Sequence, residues 1–73
     1  MSLAFAPFEK SLKIVRINAD EKTGKHLNNL GLTVGRRLTL LSASGGDCIV
    51  KVMDGRLALN RSLAMKILVD EES

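Results

Sequence analysis

Cys48-Ile49-Val50-Lys51-Val52-Met53-Asp54-Gly55-Arg56-Leu57-Ala58-Leu59-Asn60 is the stretch that decides the fold. Its first half alternates, with Cys48, Val50 and Val52 on one face and Lys51 on the other, which is the period of a half-buried strand. Asp54-Gly55 is the strongest two-residue hairpin signal in the chain, because a type I′ turn needs positive φ at both central positions. Arg56 to Asn60 then returns as a second strand with Leu57 and Leu59 facing inward.

Outward from this hairpin the same period recurs. Arg36 to Leu41 places Leu38 and Leu40 inward and Arg37 and Thr39 outward, and Ser42 to Asp47 reads as a flexible connection. Ser11 to Ile17 is rich in β-branched residues and reads as the first strand, with Leu12 and Ile14 on one face and Lys13, Val15 and Ile17 on the other. Between these strands the period changes. Asn18-Ala19-Asp20 offers helix-capping side chains, Leu27 and Leu30 share a helical face, and Gly31 suits the left-handed residue that ends a helix, with Leu32 as the contact beyond it. Gly24 weakens this segment by roughly 1 kcal/mol relative to Ala, so the helix is expected to be short and firmest over residues 25–30. Thr33-Val34-Gly35 reads as a turn, Ser62 to Met65 as a single helical turn, and Lys66 to Val69 as a closing strand.

These pieces predict an all-β fold: a small closed barrel of about five strands with one short helix inserted after the first strand. Closure removes exposed edges and lets inward side chains from every strand share one core. The expected division is an N-terminal arm over residues 1–10, a barrel domain over residues 11–69, and an acidic tail over residues 70–73. Residues 1–9 look loosely attached, and Met1-Ser2-Leu3 looks extraneous.

Composition narrows the function. The 73 residues make one domain, and 45% of them are hydrophobic, which is ordinary for a globular chain. The apolar residues are nearly all aliphatic. Phe5 and Phe8 are the only aromatics, so the chain is poorly equipped to stack bases or sugars. The single Cys48 cannot form an internal disulfide, and no run nears the roughly 18 apolar residues of a membrane span. The N-terminus lacks the pattern of a signal peptide, so a cytoplasmic location is expected and the sequon Asn60-Arg61-Ser62 is a chance match. The net charge of +3 is uneven. Asp70, Glu71 and Glu72 hold three of the eight acidic side chains, leaving eleven basic against five acidic over residues 1–69. A basic body can attract nucleic acid, anionic lipid or an acidic protein surface.

Leu30-Gly31-Leu32-x-x-Gly35 followed by an alternating strand, then Ile49 to Met53, then Arg56-Leu57-Ala58-Leu59 with Arg61, Ala64 and the closing Ile67-Leu68-Val69, together resemble the FeoA family (ferrous iron transport protein A). The resemblance spans residues 11–69 and implies an SH3-like barrel with a helix after the first strand. It also implies a cytoplasmic partner of FeoB, a large membrane protein carrying a GTP-binding domain and the iron path. FeoA-like domains also end iron-dependent repressors. With no DNA-binding helical domain ahead of this barrel, a stand-alone transporter accessory is expected. The chain departs from the family's common pattern at Val34, where Pro is frequent, at Lys10-Ser11, where Gly is frequent, and on the helix at Lys25, His26 and Asn28.

No catalytic or metal constellation is legible. Iron(II) sites usually combine two or more His with a carboxylate, whereas this chain has one, His26, and Cys48 reads as a small buried hydrophobe. Ala19 to His26 approaches a phosphate-binding P-loop but lacks its first glycine and its Ser or Thr after the lysine. Neither an enzyme nor a cofactor is expected. The expected docking residues are Lys22, Lys25, His26 and Asn29 on the helix, with Arg36 and Arg37 at the turn into the second strand. The rival from another class is a nucleic-acid-binding basic barrel using Arg36, Arg37, Arg56, Arg61, Lys51 and Lys66, set back by the missing aromatics. An SH3-like peptide binder fares worse, lacking the aromatic-lined groove that proline-rich ligands need.

Overall fold

The structure is a computed structural model and describes residues 1–72. Five antiparallel strands form one sheet in the order β4-β3-β2-β1-β5: β1 (Leu12–Ile17), β2 (Arg37–Ser42), β3 (Asp47–Val52), β4 (Gly55–Asn60) and β5 (Ile67–Glu71). Helix α1 (Glu21–Asn29) is inserted after β1, and α2 (Arg61–Met65) joins β4 to β5. The expected all-β barrel with one short inserted helix is therefore the observed fold.

Alternation fixes which side chains go inside. Leu12 and Ile14, Leu38 and Leu40, Cys48, Val50 and Val52, Leu59, and Ile67 and Val69 are buried from the five strands in turn. Helix α1 contributes Leu27, and the segment behind it contributes Leu32. Among the described residues every buried one is apolar, so no buried polar side chain needs a partner.

Helix α1 is longer than its Gly24 suggests because both ends are well closed. Asp20 Oδ1 accepts from Thr23 N at 2.8 Å, which holds one of the free N–H groups of the first turn. At the other end Leu32 N donates to Leu27 O and Gly31 N donates to Asn28 O, both at 2.9 Å. This is the Schellman pair of bonds, with Gly31 at φ +88° supplying the left-handed residue. Leu32 is thereby delivered into the core with no solvent exposure.

The barrel is not closed by a ladder between β4 and β5, and the N-terminal segment fills the seam. Expected as a loose arm, it is instead a built-in part of the domain. Leu3–Phe5 form a short 3-10 turn, with Leu3 at 0% and Ala6 at 6% exposure in the same buried cluster as Ala64 of α2. Met1 N donates to Val69 O at 3.1 Å, Val69 N donates back to Met1 O at 2.7 Å, and Ser2 bridges to Leu68. Ser2 Oγ also donates to Ala64 O. The physical reason is the open seam itself. The edge of β5 and the apolar underside of α2 both need covering, and Met1-Ser2-Leu3 covers them.

Two further expectations change. The two-residue loop of the hairpin is Met53-Asp54, with Val52 paired to Gly55, and positive φ occurs only at Met53 (+58°). A register shifted by two residues keeps the same faces inward, so hydrophobic alternation cannot choose between them. The observed one ends β4 at Asn60, whose Oδ1 accepts from Leu63 N at 2.8 Å and caps α2. The acidic tail is not separate either. Asp70 and Glu71 belong to β5, opposite Lys13 and Leu12 of β1, and Glu72 N donates to Ser11 O. Cross-strand attraction between Asp70 and Lys13 favours continuing the ladder. The last position of that expected tail, residue 73, lies outside the described residues.

Truncating Leu3 tests the docked N-terminus. Leu3→Ala should lower unfolding free energy by about 2–4 kcal/mol in a urea titration, the range for a buried Leu. A change near zero would mean that residues 1–6 do not contribute to the core.

Candidate functional site

Helix α1 presents its polar side to solvent. Leu27 is buried, with Thr23, Gly24 and Leu30 half-buried beside it, whereas Lys22, Lys25, His26 and Asn29 are all exposed. Positions 22, 25, 26 and 29 recur at helical spacing, so the four expected residues form one outward stripe. None has a side-chain hydrogen-bond partner among the described residues.

Arg36 ties that helix to the next strand. Its Nε donates at 3.1 Å to Gly31 O, immediately beyond the helix end. A guanidinium at a helix C-terminus is favoured because the last carbonyls carry partial negative charge. The intervening turn is closed by Arg36 N donating to Thr33 O at 3.0 Å, with Gly35 at φ +93°. Where Pro would preset such a turn, Val34 leaves an exposed apolar tip. Met53 of the hairpin loop reaches the same neighbourhood, with its Sδ within 3.4 Å of the position a Cβ would take on Gly31. Arg36 thus links the end of the helix to the start of β2.

Sequence reasoning missed Lys13. Read only as an outward residue of β1, it lies directly opposite Arg37 of β2 and lines with Gly35, Arg36 and Arg37 an open cleft of about 340 Å³. The signal was obscured because strand order, which puts β1 beside β2 rather than β3, is not written in local pattern. Arg37 Nε also meets Glu72 Oε1 at 3.2 Å, with the Arg37 side chain 71% exposed and Glu72 27% exposed. A pair this open is worth little to stability.

Other basic residues share the outer face of the sheet, since Thr39, two residues beyond Arg37 on β2, lies opposite Lys51. Lys51 sits opposite Arg56 on the outer face of the β3–β4 hairpin, whereas Arg61 lies over the Phe5 ring, 5.3 Å from its centroid. Phe5 and Phe8 are exposed but lie off the strands, whereas base-stacking sheets carry their aromatics on the strands. Cys48 is buried, and loss of solvent pushes its thiol above the ordinary value of 9.0, with nearby Asp47 adding to the rise and Arg61 opposing it. Such a thiol is a core residue rather than a nucleophile. Among the described residues no three His, Cys, Asp or Glu side chains converge as metal ligands, and no helix is long and apolar enough to cross a membrane.

This geometry, a five-stranded SH3-like barrel carrying an inserted helix and a basic turn, has known counterparts. Residues 1–71 match the FeoA domain family. The chain belongs to the FeoA family. The match includes the N-terminal residues, in keeping with their place in the core. The chain is 29% identical over 69 residues to a candidate Fe(2+) transport protein A of Methanocaldococcus jannaschii, covering 94% of this chain and 84% of that protein. Among solved structures it is similar to an iron uptake regulatory protein (FeoA), with 25% identity and a TM-score of 0.89 over 99% of this chain and 96% of the other. It is also similar to Stenotrophomonas maltophilia FeoA complexed with zinc, a prokaryotic SH3 domain protein described as a candidate activating factor for ferrous iron transport. That pair shows 25% identity and a TM-score of 0.81, over 96% and 89% of the two chains.

The pH dependence of stability tests the reading of Cys48. Because its folded pKa is raised, the neutral thiol's contribution is complete below the unfolded pKa and is lost as pH rises through the folded one. The urea midpoint should therefore fall above pH 9.0 more steeply in the native sequence than in Cys48→Val. Equal slopes would mean that the thiol is not desolvated.

Proposed function

We propose that this FeoA-family barrel is a non-enzymatic cytoplasmic accessory of ferrous iron uptake that binds and modulates a FeoB-type membrane transporter with a GTP-binding domain. The observation that carries the reading is the bond from Arg36 to Gly31 O. It links the end of the helix bearing Lys22, Lys25, His26 and Asn29 to the turn bearing Arg36 and Arg37, which supports reading the two as parts of one preorganised surface. A preorganised surface loses less conformational freedom on binding than a mobile one, and its positive charge steers encounter with an acidic partner. A barrel with this surface acts by binding one conformation of the transporter more tightly than another, which shifts the population of its GTPase or gating states.

The nucleic-acid reading fares worse because the chain's two aromatics, Phe5 and Phe8, lie off the strands, leaving the sheet no stacking platform. RNA binding whose affinity falls steeply with salt, with a slope reflecting several phosphates, would favour it instead.

Charge reversal tests the docking surface. Lys25→Glu and Arg37→Glu should each weaken binding to the detergent-solubilised transporter about tenfold or more, while Tm stays within a degree or two of the native protein, as expected for exposed positions. Falls in affinity that track falls in Tm would remove the site assignment.

A further inference from the structure

One cation of the basic cleft at the β1–β2 junction already engages a carboxylate, and it is the chain's own. Lys13, Gly35, Arg36 and Arg37 line this opening, and Glu72 reaches Arg37 from the end of β5. Glu72 is not a loose tail residue. Its N–H donates to Ser11 O at 2.8 Å, just ahead of β1, which anchors its main chain beside the cleft. Asp70 lies opposite Lys13 on the same strand pair. Three cations line the cleft, and among the described residues only Arg37 is in an ion pair.

We infer that the cleft is a carboxylate-binding subsite for an acidic segment of a protein partner, and that Glu72 is an internal competitor which the partner displaces. The inference rests on the docking reading above and deepens it, adding Lys13 to the contact and a regulatory role to Glu72. Three features equip the cleft for this role. Gly35 has no side chain, and nothing lies within 4 Å of where its Cβ would project, so a ligand can approach the backbone. Arg36 spends its Nε on Gly31 O, which orients the guanidinium while its terminal nitrogens have no partner among the described residues. A planar guanidinium held this way suits a carboxylate's two oxygens. The competitor, finally, is weak. An exposed ion pair contributes little, so an incoming chain bearing several carboxylates outcompetes a single glutamate through its greater number of contacts.

A hexaglutamate peptide serves as the probe, with hexaglutamine as control, and backbone amide shifts locate the binding. In the native protein hexaglutamate should move the amides of Lys13 and residues 35–37, and the shift should fade with added salt. Glu72→Gln should tighten peptide binding roughly 1.5- to 5-fold, the range set by losing one exposed ion pair. Lys13→Ala should weaken it by a similar factor, and Lys25→Glu, on the helix, should leave the shifts at residues 35–37 in place. Two results would overturn the inference: shifts confined to α1, or Glu72→Gln binding no more tightly than the native chain. Either could occur while the transporter still binds, which separates failure of this subsite from failure of the docking reading. Unchanged Tm in Glu72→Gln and Lys13→Ala keeps folding out of the comparison.

Discussion

The constraint on which the structure depends is the sealing of an aliphatic core in a chain too short to waste residues. Without Trp or Tyr, no single side chain fills a large volume, so the interior is assembled from Leu, Ile, Val and Ala contributed by every element. A five-stranded sheet curled on itself leaves one seam, between β4 and β5. That seam is sealed by α2 and by the first six residues, which combine backbone pairing along β5 with Leu3 and Ala6 beneath α2. Burial of a Leu is worth about 2 kcal/mol, a sizeable part of the stability of a small domain.

The same economy shapes the outer surface. Helix α1 is held by one buried leucine, Leu27, a capped N-terminus and a Schellman closure, so its remaining residues are free to be polar. Gly31 ends the helix and turns Leu32 inward, and its carbonyl then receives Arg36. A feature required for folding, a closed helix end, thereby sets the position of the basic turn relative to the helix stripe. Protein recognition on such a barrel needs no interior cavity and no catalytic group. It needs an outer face whose parts do not move relative to one another.

Much of this was legible in the sequence because it depends on local pattern. Alternation identified the inward residues of β1, β2 and β3, the capping run Asn18-Ala19-Asp20 and Gly31 announced the two ends of α1, and Lys22, Lys25, His26 and Asn29 were legible as polar helix residues. What escaped depends on contacts between distant parts of the chain. Leu3 looks extraneous until β5 and α2 are in place to receive it. Lys13 becomes part of a cleft only when β1 lies beside β2. Asp70 and Glu72 look like a solvated tail until Lys13 and Arg37 stand across from them. The hairpin loop moved from Asp54-Gly55 to Met53-Asp54 because two registers satisfy the same alternation, and the cap that Asn60 makes on α2 marks the end of β4.

The central claim is that this barrel acts through a rigid basic outer face formed by α1 and the turn at residues 33–37. Amide hydrogen exchange of the protein, alone and mixed with the solubilised FeoB-type transporter, tests it most directly. The account predicts slowed exchange over residues 31–37 and along α1, with the outer edge of β4 unchanged. Protection confined to β4, or no protection anywhere at concentrations that saturate the transporter, would contradict it.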